Sequence, residues 1–292
     1  MVIVKRIETV LDSRIIFIYA LVVARTNKIT DNALVGIHND IIPTIAKLRL
    51  SEGRLFQYCI AHYDSKGGEN LSFGATVDEL RRFFCIDKKI AYGVVREAVM
   101  KINFRPLQYE IGNEERLDFW FTGFTYFRGE GRFEFRLNKD AMPYFLKLQE
   151  FFTRYPIGAT KKFKRAASFK LYVNLKSQAF KCRWDSDLDD LKYRLGVSTK
   201  YDRWTAFKQW VLVPSVAEIN EHSDLSVTWK PKKSGRRVIG VAFKIKAKCD
   251  VAAQNAREIH EVNNVIKASK KERDWGTGAG SLRSLASWKS PA

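Results

Sequence analysis

The chain is poor in the residues that build metal centres, disulfide frameworks and nucleotide-binding loops. Its 292 residues include four cysteines, which lie far apart without CxxC or CxxH spacing, and four histidines, which are isolated and form no H-x-H pair. No G-x-x-x-x-G-K-[ST] motif occurs. These absences argue against a zinc site, a disulfide-rich secreted fold and a nucleotide hydrolase. We expect no catalytic residues, no metal and no cofactor, and a protein of the reducing cytoplasm.

Long apolar runs are also scarce. Residues 15–24 (IIFIYALVVA) follow basic residues, an order typical of a secretory signal. The run is too short to span a bilayer, which needs about 20 apolar residues, and Asp12 and Arg14 interrupt its approach. We therefore favour a strand, or an N-terminal extension in residues 1–30, over a signal, and we expect no membrane partner.

Acidic charge is low relative to basic charge, and the excess is uneven. The chain has 51 Lys and Arg against 32 Asp and Glu, a formal net charge of +19. Residues 1–150 carry 22 basic and 19 acidic side chains, whereas residues 151–292 carry 29 and 13. A content of 46% hydrophobic and 13% aromatic residues can form a core. This balance indicates a folded protein that binds a polyanion mainly through its C-terminal half.

From residue 31 the pattern predicts helix, strand, helix, turn, helix and hairpin. A Thr76–Glu79 capping box precedes the second helix, and Ile90, Val94, Ala98 and Ile102 are expected on the buried face of the third. The predicted helices are 51–63, 77–84 and 87–102, and the predicted strands are 70–74, 117–127 and 132–137. A further capped helix, 138–152, follows.

The same order recurs about 110 residues later. Ser186 with Asp189 is expected to cap the second helix, which Gly196 ends, and Pro214 is expected to kink or split the third. The predicted helices are 166–180, 187–195 and 203–221, and the predicted strands are 181–184, 225–230 and 237–246. Two copies of one unit imply two similar domains.

A three-helix unit followed by a hairpin is the winged form of helix-turn-helix. We therefore predict an α+β fold of two tandem winged-helix domains. The first domain (31–155) is expected to contact DNA weakly and to dimerise, and the second (156–248) to be the main DNA-binding domain. Residues 249–292 are predicted to be a flexible polar tail.

The third helix of the second domain has the polar outer face that major-groove recognition requires. Trp204, Phe207 and Val211 are expected to face the core. The residues predicted to face DNA are Lys200, Tyr201, Arg203 and Lys208. A solvated face without a partner is the alternative for any one of them.

The turn of the second hairpin is more specific, because five cations surround it with no acidic residue between them. Like charges this close destabilise a fold unless a phosphate or another counter-ion is present. The five are Lys230, Lys232, Lys233, Arg236 and Arg237. The third helix of the first domain has fewer candidate DNA-contacting residues: Lys88, Lys89, Tyr92 and Arg96. The stretch between the domains adds four more cations: Lys161, Lys162, Lys164 and Arg165.

These segments resemble a known family. The runs SFKLYVNLKSQAF (168–180), DLDDLKYRLG (187–196) and FKQWVLVPSVAEINEHSDL (207–225), followed by K-x-GRRV from Lys233, resemble the second domain of plasmid replication initiator proteins that bind iterons. Residues from NALVGIHNDI (32–41) to the linker resemble that family's first winged-helix domain. The likeness covers about residues 31 to 248.

The resemblance implies a protein that binds repeated sites in a plasmid origin, helps to open AT-rich DNA and recruits the host initiator and helicase. It also implies a monomer–dimer balance and autorepression, and it places DNA recognition on the residue sets given above. Two alternatives stay open: a winged-helix transcriptional regulator without a replication role, and a DNA-cutting or strand-transferring enzyme.

Overall fold

The computed structural model describes residues 29–64, 71–111, 113–127, 129–141 and 152–248. Those up to Lys246 belong to one compact unit. The predictions for the N-terminal apolar run and the C-terminal tail lie outside the described residues, as does most of the predicted helix 138–152. Its last residue, Phe152, begins a strand instead.

The first half of this unit contains the first predicted repeat. A short strand and a short helix precede it, and a strand follows it. The elements are β1 (Leu34–His38), a 3-10 turn (Asn39–Ile41), α1 (Ile42–Ile45), α2 (Leu50–Asp64), β2 (Ser72–Thr76), α3 (Val77–Phe83), α4 (Lys88–Ile102), β3 (Leu107–Ile111), β4 (Glu114–Asp118), β5 (Phe121–Phe127), β6 (Arg132–Leu137) and β7 (Phe152–Pro156).

The second half contains the second repeat, and a nearly continuous helix over residues 204–222 forms its third helical element. The elements are a 3-10 turn (Ile157–Ala159), α5 (Ala166–Ser177), a 3-10 turn (Ala179–Lys181), β8 (Arg183–Asp187), α6 (Leu188–Leu195), α7 (Trp204–Phe207), a π turn (Lys208–Leu212), α8 (Val213–His222), β9 (Leu225–Ser234) and β10 (Arg237–Ala247).

The two repeats have matching sheets, which confirms the duplicated winged-helix fold. In the first, the strand order is β2-β6-β5, and in the second it is β8-β10-β9. In each, the strand between the first two helices pairs antiparallel with the last strand of the hairpin. The hairpin is thereby joined to the helical part of its own domain.

The first domain departs from the prediction after its third helix. The predicted strand 117–127 is two strands in different sheets, because β4 pairs with β3 while β5 pairs with β6. Between them Trp120 is buried, and its indole N–H donates to the carbonyl of Arg105 at 2.6 Å. This anchor turns the chain inward where the alternating pattern predicted a continuous extended strand.

The buried face of α4 differs from the predicted one. Ile90 is 57% exposed, and the buried residues are Ala91, Val95, Ala98, Val99 and Ile102. Residues spaced strictly by four drift around a helix of 3.6 residues per turn, so a straight face needs spacings of three and four. Ala98 and Ile102 were placed correctly, and Ile90 was not.

Two of the three predicted helix ends are confirmed. Thr76 and Glu79 form the capping box, and Gly196 ends α6 with a φ of 69°. Capping of α6 by Ser186 with Asp189 was wrong, because Asp187 is the N-cap residue and makes no side-chain cap. The Ser186 hydroxyl instead donates to the side chain of Asp190 at 3.1 Å.

Pro214 disturbs the third helix of the second domain without breaking it. Proline has no N–H, and its ring crowds the carbonyl of the residue four positions earlier, here Trp210. The preceding turn, Lys208–Leu212, is a π turn, and α8 continues directly from it. The wider turn accommodates Pro214, so a local change of helix type replaces the predicted kink or split.

The linker between the repeats is fixed on the second domain. Glu218 is buried, and its carboxylate accepts hydrogen bonds from the backbone N–H of Lys164 and the guanidinium of Arg165. Phe163, directly before them, is fully buried. Of the helices in the described ranges, none has the length and apolar character to cross a membrane.

Candidate nucleic-acid interface

The third helix and the hairpin of the second domain are held together by specific contacts. The side chain of Asn220 donates to the carbonyl of Val227 at 2.9 Å and accepts from its N–H at 2.6 Å, so it pairs with β9 as another strand would. At the other end, Trp204 packs edge-to-face on Trp229 with 6.1 Å between ring centroids. Helix and hairpin therefore present one rigid surface.

The predicted contact residues of this helix lie at its N-terminal end. Lys200, Arg203 and Lys208 are exposed, whereas Tyr201 is half-buried and packs against the core. Phe207 and Val211 are buried as predicted, and Trp204 is half-buried. Arg203 occupies the N-cap position but makes no capping bond. Three cations thus surround the N-terminal end of the helix, the end through which helix-turn-helix proteins contact bases.

Two exposed apolar residues of this face were not predicted from the sequence. Trp210 is 64% exposed and Val213 is 45% exposed. Trp210 follows Phe207 by three residues, a spacing that predicts the same buried side of a regular helix. The intervening π turn rotates less per residue, so it turns Trp210 away from the core. Only the position of Pro214 in the sequence hints at this.

The five cations of the hairpin surround a tight turn in which Gly235 has a φ of 58°. We call them the wing cations: Lys230, Lys232, Lys233, Arg236 and Arg237. Four are exposed and Lys232 is half-buried. Across the part of the chain that the structure describes, none forms an ion pair, whereas cations such as Arg116 and Arg194 each have a carboxylate partner. The wing cations therefore remain available for an external anion.

The corresponding surface of the first domain is weaker in charge and richer in aromatic groups. Lys88, Lys89, Tyr92 and Arg96 are all exposed on α4. Tyr92 contacts Tyr126 on β5 at 5.4 Å between ring centroids. At the hairpin turn, Arg132 pairs with Glu130, so this hairpin offers less free charge than the wing cations do.

The four linker cations fall into two groups. Lys161 pairs with Asp31 and Arg165 with Glu218, so these two stabilise the packing of the linker. Lys162 and Lys164 are exposed, and within the described ranges neither is ion-paired. The paired members have partners more than 50 residues away in the chain, which the local sequence does not reveal.

Within the described ranges, no three His, Cys, Asp or Glu side chains cluster as they would around a metal ion. Among the aspartates near α6, Asp190 has structural contacts. Asp190 accepts from Ser186 and from Arg194.

Comparison with known proteins gives two family matches. A family model described as "Initiator Replication protein, WH1" matches residues 34–176. A second, described as "Initiator Rep protein, WH2", matches residues 187–245. Together they cover most of both repeats, and the gap between them, residues 177–186, contains most of β8 and its approach.

Individual relatives are distant. A replication initiation protein of Escherichia coli is 23% identical over 176 residues, which are 58% of this chain and 54% of that protein. The match thus spans about half the length of that relative. The crystal structure of Pi initiator protein in complex with iteron DNA superposes with a TM-score of 0.65 at 20% identity, and covers 76% of this chain and all of that one. This likeness shows the fold.

Proposed function

Since the chain belongs to the plasmid Rep family of replication initiator proteins, we propose that it is a sequence-specific double-stranded-DNA-binding protein that initiates plasmid replication at repeated origin sites (iterons). The observation that supports this best is the set of unpaired wing cations beside an exposed helix. We further propose that the protein acts through binding energy, without covalent catalysis.

The geometry suits a duplex. A major groove about 12 Å wide admits one helix, and the end bearing Arg203 and Lys208 carries free side chains that can contact base edges. The wing cations lie on the adjoining hairpin, from which winged-helix proteins reach the backbone or the minor groove. A second domain of the same fold allows the protein to contact successive turns about 34 Å apart. Bending across that span is cheapest at AT-rich and pyrimidine–purine steps.

We propose that the two domains have different roles. The second domain (156–248) carries the main DNA contacts, and the first (31–155) binds more weakly and dimerises. Large exposed apolar side chains on the first domain support self-association: Met100, Phe104, Leu117, Phe119 and Phe124. We also propose that the protein recruits a host initiator and helicase, and that the dimer represses its own promoter.

We expect the gene with its flanking DNA to sustain replication of a plasmid that has no other origin. Purified protein should protect tandem direct repeats in that flanking DNA from nuclease digestion, because an initiator binds several copies of one site. A single protected palindrome, with repression of the promoter but no replication, would support a transcriptional regulator instead. Nicked circles formed from supercoiled origin DNA with divalent metal would contradict a non-catalytic mechanism.

Replacing Arg203 or Lys208 with alanine is expected to change the preference among site variants more than the overall affinity. A side chain that contacts a base edge contributes about 1–3 kcal/mol of discrimination at one position. The measurement is competition binding against a panel of single-base variants of the protected site. An equal loss for every variant would identify the residue as a phosphate contact.

A further inference from the structure

A basic cleft of about 540 Å³ lies where the two domains meet. One wall comes from the loop after α1 in the first domain, including Lys47 and Arg49, together with Arg105. The other wall comes from α5 and from the turn between α6 and α7, including Lys170 and Lys200. Five cations therefore line this cleft, and among the residues that the structure describes no acidic side chain does.

Lys170 is the unusual member of this set. It is 6% exposed, and its ammonium group donates one hydrogen bond, to the carbonyl of Leu195 at 3.3 Å. Among the described residues no carboxylate pairs with it. Glu52 attracts it from farther away, but Glu52 itself accepts from Arg105 at 2.7 Å and from the backbone N–H of Arg49 at 2.8 Å. Lys170 thus keeps unused donors inside the protein.

The surroundings of Lys170 further destabilise its charged form. Desolvation, together with the positive charges of Lys200 and Arg105 and against the attraction of Glu52, lowers the pKa of Lys170 to about 8. A buried cation without a partner is costly for a folded protein. Gly196 has a φ of 69° and stands beside the ammonium group, where a Cβ would lie 2.6 Å from the Nζ of Lys170. Glycine at this position leaves room for the cation at the edge of the cleft.

We propose that this cleft binds a phosphate group, which pairs with Lys170 and Lys200 and bridges the two domains. Its volume is within the usual range for small-ligand sites, and lysine and arginine side chains are the usual partners of phosphate. Because its two walls belong to different domains, a bound phosphate would hold the domains in this arrangement. None of the wing cations lines the cleft, so the site is distinct from the hairpin, and of the cations at the helix end only Lys200 also lines it.

The phosphate has two possible sources, a backbone phosphate of bound DNA or a free phosphate-containing solute. The turn at Lys200 leads directly into the helix proposed to contact DNA. A backbone phosphate of bound DNA can therefore reach the cleft. Inorganic phosphate and pyrophosphate probe the second without DNA. The titration with phosphate and pyrophosphate does not depend on the proposed function. A negative titration can therefore be distinguished from a failure to bind DNA.

The test measures thermal unfolding of the full chain with increasing pyrophosphate or phosphate, against chloride at equal ionic strength. A saturable rise in Tm, about 5–10 °C at one hundred times Kd, is expected for pyrophosphate if the ligand is a free solute. Lys170→Met and, separately, Lys200→Gln should abolish the rise. Lys232→Gln, a wing cation, should preserve it and serves as the control.

If the phosphate belongs to DNA, pyrophosphate will give no saturable rise, and Lys200→Gln or Lys170→Met will reduce the salt slope of DNA binding by about one. The Tm of each variant in chloride buffer shows whether it is folded, and Lys200, an exposed residue, keeps the test valid if Lys170→Met does not fold. The proposal is overturned if pyrophosphate and phosphate give no saturable rise and both variants bind DNA with the salt slope of the unmodified chain.

Discussion

Replacing all five wing cations with glutamine is expected to weaken binding to duplexes of any sequence by about 10³-fold near 0.15 M salt. Each phosphate contact contributes about 0.9 to the slope of log K against log salt, so removal of five contacts should flatten the slope by about 4 to 5. Glutamine keeps a polar side chain while it removes the charge. Fluorescence anisotropy with a labelled duplex over a salt series measures both quantities.

A control variant separates local contact from net charge. Arg81, Arg82, Lys101, Arg116 and Arg194 are also cations, but each pairs with a carboxylate. Their replacement with glutamine changes the net charge by the same amount and should leave most of the salt slope. Equal losses in the two variants would mean that only total charge matters. An unchanged slope in the wing variant would show that the hairpin points away from DNA.

The duplicated architecture was predictable because each repeat contains local signals for its helices and hairpin. The Thr76–Glu79 capping box acts through backbone N–H groups within one turn. Gly196 ends α6 through its own positive φ. Hydrophobic periodicity then placed three helices and a hairpin in each repeat. Signals of this kind depend on neighbours a few residues apart, so they can be recognised without the tertiary structure.

The errors arise where distant contacts decide the local structure. The break in the predicted strand 117–127 depends on Trp120 reaching the carbonyl of Arg105 across the fold. The consecutive aromatic residues Phe119, Trp120 and Phe121 interrupt the alternation here, but they do not show that the two halves join different sheets. Exposure of Trp210 depends on the π turn ahead of Pro214. Neither effect can be read from hydrophobic spacing.

Many contacts in the candidate DNA-binding site could not be predicted for the same reason. Lys161 and Arg165 looked like the other linker cations, but their carboxylate partners are 130 and 53 residues away. The residues that carry the family resemblance in α8 and after it have structural contacts: Glu218 holds the linker, Asn220 pairs with β9, and Asp224 accepts from Tyr172. These residues of the family resemblance thus identify the fold more directly than they identify the DNA-contacting residues.

Replacing Asp224 with alanine is expected to destabilise the second domain by about 3–5 kcal/mol. Asp224 is 6% exposed. It accepts a hydrogen bond from the hydroxyl of Tyr172 at 2.7 Å and pairs with the ammonium group of Lys176. Its removal leaves a buried cation without a counter-charge and a buried phenol without its acceptor. Thermal unfolding followed by circular dichroism should show a Tm lower by roughly 10 °C.

Two further variants test this reason for the loss. Tyr172→Phe removes one neutral hydrogen-bond donor and keeps the ion pair, so it should cost only about 1 kcal/mol. Lys176→Met combined with Asp224→Leu replaces the pair with apolar groups and should recover much of the stability, because the penalty comes from a lone buried charge. If the double variant is no more stable than Asp224→Ala, Asp224 acts through backbone geometry between α8 and β9. In either case DNA affinity per folded molecule should change little, because Asp224 is buried and its partners, Tyr172 and Lys176, are not among the residues proposed to contact DNA.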